Sequence, residues 1–175
     1  FRGDKRHAVV ACAEKRPALR SVIDDDRIYG AMEDLLGPDL IWFGSDGNYY
    51  TGDTAWHSDG TVMDIGRIKV AFYLDPVTRD TGCLRFIPGS HKMPMHEELQ
   101  ALRVERTKQT IQEGRNDPDA LDKYRDKGID VDAQAFDMAQ DQIPAYAAES
   151  QSGDVVMFDQ NLYHGSFGGK TGRRM

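Results

Sequence analysis

The stretch from Thr54 to Lys92 has the sequence TAWHSDGTVMDIGRIKVAFYLDPVTRDTGCLRFIPGSHK. His57 and Asp59 occupy positions i and i+2 at the predicted end of a strand. Because side chains alternate between the two faces of a strand, both point the same way. A second stretch, Val155 to Arg174, supplies His164 after a short apolar run that predicts a buried strand. Two imidazoles and one carboxylate on one face of a metal leave other coordination positions open, an arrangement suited to non-haem iron(II).

The residues that follow Asp59 within the first stretch have a pattern typical of β-strands. Residues 67–75 alternate in polarity, which indicates a strand with one face in the core and the other towards a cavity. The next residues, 76–82, predict a turn, and Cys83 to Ile87 is the expected partner strand. Regularly spaced strands with Gly and Pro turns are typical of an all-β barrel or jelly roll. A small-molecule site is expected at the mouth of such a barrel.

The N-terminal part predicts helices that flank this core. Apolar residues between Pro17 and Leu36 recur at spacings of three and four, which indicates one or two short helices. The three aspartates at 24–26 predict a break or N-cap, and Gly37 with Pro38 predicts the end. A strand is expected at 39–42.

Residues 93–150 differ from the rest of the chain in being long, polar and charged. Helical spacing at Leu99, Leu102, Val104 and Ile111 favours a helical insert rather than a second domain. Three interpretations stay open for this insert: a lid over the active site, a solvated surface segment, or a dimer contact. The sequence does not indicate an oligomeric state.

Composition limits the partners and the location. With 175 residues the chain fits a single domain, 1–175, and the net charge of −7 disfavours nucleic acid and anionic membranes as partners. Cys12 and Cys83 have no paired spacing, so we expect free buried thiols in a reducing compartment. No apolar run approaches the ~18 residues of a membrane span and no signal-peptide pattern is present, so the expected location is cytoplasmic.

Three segments resemble the phytanoyl-CoA dioxygenase family, a branch of the iron(II)- and 2-oxoglutarate-dependent oxygenases. They are WHSDG at 56–60, GCLRFIPGSHK at 82–92 and GDVVMFDQNLYHGSFGG at 153–169. The resemblance implies a mainly β fold: a double-stranded β-helix (jelly roll, cupin-like) core with flanking helices and the helical insert. It also implies a dioxygenase that uses Fe(II), 2-oxoglutarate and O2 to hydroxylate a small organic substrate.

In this family the motif residues would have defined catalytic roles. His57, Asp59 and His164 would each give one ligand to iron(II). An HxD pair alone is weak evidence, since zinc sites also use His and carboxylate. Related halogenases carry a small residue at the position of Asp59, so the carboxylate here favours hydroxylation.

The distal carboxylate of 2-oxoglutarate needs a cation with bidentate geometry, which Arg supplies better than Lys. The resemblance places this Arg shortly after the second His, where Arg173 and Arg174 both qualify and only one can point inward. We favour Arg173, because the Arg-Arg-Met ending matches the family with the first Arg in place. The spacing from His164 is shorter than in the family, which leaves Arg174 open. Ser166 would donate a hydrogen bond to the same carboxylate.

Two other functions stay open at this stage. A cupin-like metal-binding protein would keep the three ligands without 2-oxoglutarate chemistry. A non-catalytic fragment is the other alternative, because the chain starts at Phe1 and stops at Met175, where we expect the family core to continue at both ends.

Overall fold

The structure is a computed structural model that describes residues 6–60, 66–116, 142–169 and 172–175. Within these ranges the elements in chain order are β1 (Arg6–Val10), α1 (Cys12–Lys15), α2 (Pro17–Ile23), α3 (Asp26–Leu36), β2 (Asp46–Tyr50), β3 (Thr54–His57), β4 (Ile68–Phe72), β5 (Leu84–Phe86), α4 (Met95–Asn116), β6 (Tyr146–Ala148), β7 (Val155–Asp159), β8 (His164–Ser166) and β9 (Arg173–Arg174).

The N-terminal helices follow the predicted pattern. The break between α2 and α3 falls at the aspartates, where the Asp25 side chain accepts a hydrogen bond of 3.0 Å from the backbone N–H of Arg27. Helix α3 ends at Gly37, whose φ of 91° suits glycine best.

The strand predicted at 39–42 is wrong. This segment has no strand partner among the described residues, and the next strand, β2, begins only at Asp46. The indole of Trp42 instead donates a hydrogen bond of 2.8 Å to Glu14 on α1. Local β-propensity did not suffice, because a strand also needs a neighbouring chain to accept its ladder hydrogen bonds.

The described strands form three antiparallel sheets. The strand orders are β1-β2-β9, β3-β8-β5-β6 and β4-β7. One apolar cluster, which includes Tyr73, Val77, Cys83 and Phe158, packs around β4, β5 and β7. A second cluster contains Trp56 and Tyr163, the neighbours in sequence of the two histidines. The second cluster therefore anchors β3 and β8, the strands that carry the two histidines.

The predicted hairpin between β4 and residues 83–87 is also wrong. Strand β4 pairs with β7 over five residue pairs, from Ile68↔Asp159 to Phe72↔Val155, whereas β5 pairs with β6 and β8. The residues between β4 and β5 cross from one sheet to another. Non-local pairing of this kind cannot be inferred from alternation, which gives the faces of a strand but not its neighbours.

The buried face of β4 is the one with the small and polar side chains. Ala71 and Tyr73 are buried, whereas Leu74 is 52% exposed. Lys69, on the same face as Ala71 and Tyr73, lines a cavity. The predicted cavity-facing side of the strand is therefore the inward one.

Helix α4 occupies the start of the predicted insert. Met95 and Leu99 pack against the cluster around Trp56, and the Tyr163 hydroxyl donates a hydrogen bond of 2.7 Å to Gln100. Residues 117–141 of the insert lie outside the described ranges. The sheet resumes at β6, before the predicted boundary at 150, because Tyr146–Ala148 pairs with β5.

In the ranges that the structure describes, no helix has both the length and the apolar character needed to cross a membrane.

Candidate active site

Strand pairing brings the two histidines together. His57 and His164 are register partners in the antiparallel pair β3–β8, and their ring centroids lie 4.3 Å apart. The register shifts along β3 between Thr54 and His57, an irregularity that ends the regular ladder at the ligand position.

Asp59 lies in the loop after β3, and backbone hydrogen bonds fix its place. The N–H groups of Asp59 and Gly60 donate to the carbonyl of Gln160 at 3.1 and 3.0 Å. A Cβ on Gly60 would lie 1.7 Å from Oδ1 of Asn161, so this close approach requires glycine.

The three side chains form a compact donor cluster. One ligand atom from each of His57, Asp59 and His164 lies within 4.8 Å of the others. The distance from Asp59 Oδ1 to His57 Nε2 is 3.5 Å, and that from Asp59 Oδ2 to His164 Nε2 is 3.4 Å. The sequence prediction that these three residues meet therefore agrees with the geometry.

Backbone carbonyls set the tautomers of both imidazoles. Nδ1 of His57 lies 2.8 Å from the carbonyl of Ala55, and Nδ1 of His164 lies 2.9 Å from that of Leu162. A neutral imidazole that donates its Nδ1–H in this way keeps the Nε2 lone pair free for a metal. Both Nε2 atoms lie near the carboxylate of Asp59.

The electrostatics of the cluster suit metal binding. Burial lowers the pKa of His164, which keeps that imidazole neutral. Burial alone would raise the pKa of Asp59, but contacts with His164, His57 and Lys69 outweigh it and hold the pKa far below the usual range. Two imidazoles and a carboxylate are a donor set that fits iron(II) with positions left open, and zinc uses the same ligand types.

Sequence reasoning missed Lys69. Its ammonium group forms a short ion pair with Oδ2 of Asp59. The alternation of β4 was the available signal, since it placed Lys69 on the face assigned to a cavity. Nothing in the sequence indicated which residue that face meets.

Arg173 points inward and is almost completely buried, with 3% of its surface exposed. Its Nη2 donates to the carbonyl of Gly52 at 3.1 Å and to Oγ of Ser166 at 2.9 Å. Among the described residues, Nη1 of Arg173 has no hydrogen-bond partner although it is buried. An unpaired buried donor is costly, so this group is suited to an anionic ligand.

Arg174 points the other way. Its guanidinium donates to both carboxylate oxygens of Asp75, at 3.0 and 2.6 Å, on the protein surface. Strand β9 pairs with β2 through Tyr50↔Arg173 and Tyr49↔Arg174, and this register decides which arginine faces inward.

A cavity of 440 Å³ joins the two parts of the site. The residues around it include His57, Asp59, Lys69, His164, Ser166 and Arg173. All the site residues predicted from sequence, apart from Arg174, therefore face one space.

The model of the phytanoyl-CoA dioxygenase family matches residues 1–175. No curated sequence gives a significant match.

Several solved structures share the fold. HygX from Streptomyces hygroscopicus, with nickel and 2-oxoglutarate bound, superposes with a TM-score of 0.66 at 15% identity, over 98% of this chain and 67% of that one. EctD from S. alaskensis, with 2-oxoglutarate and 5-hydroxyectoine, superposes with a TM-score of 0.61 at 22% identity, over 95% of this chain and 53% of that one. SnoK, an α-ketoglutarate-dependent carbocyclase of nogalamycin biosynthesis, superposes with a TM-score of 0.64 at 20% identity, over 97% of this chain and 60% of that one.

These likenesses concern the fold, which is mainly sheet with few helices, as predicted. This chain spans only part of most of the similar structures, for example 33% of EvdMO1 and 54% of EctD in its apo form.

Proposed function

Because the chain belongs to the phytanoyl-CoA dioxygenase family, we propose that it is an iron(II)- and 2-oxoglutarate-dependent dioxygenase that hydroxylates a C–H bond of a small organic substrate. The observation that carries this proposal is one cavity lined by the His-Asp-His cluster and by Arg173, whose buried Nη1 has no hydrogen-bond partner among the described residues. A metal and a dicarboxylic keto acid would satisfy both features.

In this proposal Nε2 of His57, the carboxylate of Asp59 and Nε2 of His164 hold the iron. Bound iron and 2-oxoglutarate would supply the oxidation, in which one atom of O2 enters succinate, the other enters the substrate as hydroxyl, and CO2 is released. The carbonyls of Ala55 and Leu162 keep both imidazoles in the ligating tautomer. A carboxylate at position 59 leaves no vacancy for a halide there, which favours hydroxylation over halogenation.

Arg173 would bind the distal carboxylate of 2-oxoglutarate. Ser166 and Gly52 hold its Nη2, and Nη1 would donate to the ligand. The ring of Tyr50 lies 5.7 Å from the guanidinium carbon and helps to hold the group in place. Arg174 does not take this role, because its guanidinium is engaged by Asp75 on the surface.

The finer architecture is part of the same proposal. We expect the three sheets to close as a double-stranded β-helix in a single domain, 1–175, with a helical insert between β5 and β6. Helix α4 packs against Trp56 and Tyr163, next to both histidines, and this contact supports an influence of the insert on the site. Cys83 is buried as expected, whereas Cys12 is only partly buried, and the free thiols of both support a reducing compartment such as the cytoplasm.

The experiment that tests this function is an anaerobic titration of the iron(II)-loaded protein with 2-oxoglutarate. We expect the weak visible charge-transfer band of a chelated keto acid, which should vanish in Asp59→Ala. The matched control is Asp34→Ala, which removes an exposed carboxylate on α3 and should leave the band unchanged. Iron binding without any band in the unaltered protein would overturn the proposal and favour the cupin-like alternative.

A further inference from the structure

Lys69 is placed to act on a single atom of the candidate metal site. It lies on β4, where it pairs with Phe158 of β7, and its side chain lines the cavity. The ammonium group contacts Oδ2 of Asp59, and the side chain of Lys69 is 37% exposed. A site that only had to bind a metal would not need a lysine beside its carboxylate ligand.

The two oxygens of Asp59 are therefore not equivalent. Oδ1 lies 3.5 Å from Nε2 of His57, and no lysine or arginine among the described residues forms an ion pair with it. Oδ2 lies 3.4 Å from Nε2 of His164 and also accepts from Lys69. A charge-assisted hydrogen bond of this kind is stronger than one between neutral groups and fixes the carboxylate orientation.

We propose that Lys69 is a positioning residue that holds Oδ2 of Asp59, so that Asp59 offers only Oδ1 to the metal. The inference rests on the proposed function, because its benefit is an open coordination position. A three-residue facial site must leave room for the two keto-acid oxygens and for O2. A carboxylate that chelated through both oxygens would fill one of those positions.

The direct test is infrared difference spectroscopy of the iron(II)-loaded against the metal-free protein, with ¹³C-labelled aspartate. The splitting between the antisymmetric and symmetric carboxylate stretches is wide for a one-oxygen ligand and narrow for a chelating one. We expect a wide splitting in the unaltered protein, a narrow one in Lys69→Met, and a wide one again in Lys69→Arg. Lys92→Met, which changes an exposed lysine, is the matched control and should resemble the unaltered protein.

Binding of 2-oxoglutarate gives an independent readout. In Lys69→Met the concentration for half-saturation of the charge-transfer band should rise, because the second oxygen of Asp59 would occupy a coordination position that the keto acid needs. The affinity for iron(II) should not fall, since a nearby positive charge is removed and a second oxygen becomes available. Lys69→Arg should restore most of the 2-oxoglutarate affinity.

Several results would overturn the inference. A narrow splitting in the unaltered protein would show that Asp59 chelates in spite of Lys69. An unchanged splitting with weaker 2-oxoglutarate binding in Lys69→Met would mean that Lys69 contacts the cosubstrate directly. Parallel losses of iron affinity and thermal stability without rescue by arginine would assign Lys69 a purely structural role. Absence of the band in the unaltered protein is a different failure, that of the proposed function itself.

Discussion

His57 and His164 face each other across the β3–β8 pair, with ring centroids 4.3 Å apart, although they lie far apart in the sequence. The position of the candidate metal is therefore set by strand register rather than by a local loop. A slip of one residue would turn one imidazole to the opposite face. The geometry of the His-Asp-His cluster therefore depends on the correct pairing of β3 with β8.

Replacement of either histidine should destroy iron binding. We expect His57→Ala and His164→Ala each to weaken the iron(II) affinity by more than about a hundredfold, since loss of an outer-sphere partner alone costs 10–100-fold. Anaerobic equilibrium dialysis would measure this. His7→Ala, which alters an exposed histidine, is the control, and an equal loss there would contradict the assignment.

The two adjacent arginines form a matched pair for testing the cosubstrate site. Arg173→Ala should raise the 2-oxoglutarate requirement roughly ten- to a hundredfold, because a charged hydrogen bond contributes about 1.5–3 kcal/mol. Arg174→Ala should leave it unchanged, since that guanidinium binds Asp75 on the surface. Succinate release at varied 2-oxoglutarate concentrations measures both. The reverse ranking would transfer the role to Arg174.

The close packing around Arg173 predicts that replacing a neighbouring glycine weakens 2-oxoglutarate binding. A Cβ at Gly169 would lie 1.9 Å from Nη1 of Arg173, and one at Gly82 would lie 2.7 Å from its Cζ. Gly169→Ala should therefore displace the guanidinium and weaken 2-oxoglutarate binding while iron binding persists. Titrations of the same sample with iron and then with 2-oxoglutarate would separate the two effects.

Gly30 provides the control for glycine replacement. It lies inside α3, and a Cβ there would meet nothing within 4 Å. Gly30→Ala should raise the free energy of unfolding by about 0.5–1 kcal/mol, because alanine loses less backbone entropy in a helix. Chemical denaturation would measure this gain, and 2-oxoglutarate binding should not change.

Tyr73 makes stability depend on pH in the alkaline range. Burial raises its pKa to about 12, against an ordinary value of 10.0, although the nearby Arg173 opposes the shift. The unfolded chain therefore loses this proton first, so the contribution of Tyr73 is fully present below pH 10 and is lost as the pH rises towards 12. Denaturation of the metal-free protein should show this fall, on the order of 2 kcal/mol.

Tyr73→Phe isolates that contribution. The variant should lack the part of the alkaline fall that belongs to Tyr73, while other groups still titrate. An identical pH profile in both proteins would show that the phenol does not keep its proton in the folded state.

Local sequence patterns predicted helices α2 and α3 and the shared direction of His57 and Asp59. The aspartate break and Gly37 delimit α2 and α3 because capping and left-handed termination depend on neighbouring residues only. The i, i+2 spacing of His57 and Asp59 correctly indicated a shared direction, even though Asp59 lies just beyond the strand and is held by Gln160.

Strand neighbours were not predictable in the same way. The partner of β4 is β7 rather than the next segment in sequence, and residues 39–42 found no partner among the described strands. Alternation and propensity describe one strand at a time, whereas pairing depends on hydrogen bonds between segments distant in the chain.

The sequence by itself determined which residue types are available for the chemistry: the His-Asp-His set, the adjacent arginines and the mainly β framework. The tertiary structure alone decided that Arg173 faces inward, through the register of β9 with β2, and that Lys69 meets Asp59. The physical reason is that periodicity fixes which residues share a face. The direction of that face, and the group it contacts, follow only when non-local strands pair and exclude water from the space between them.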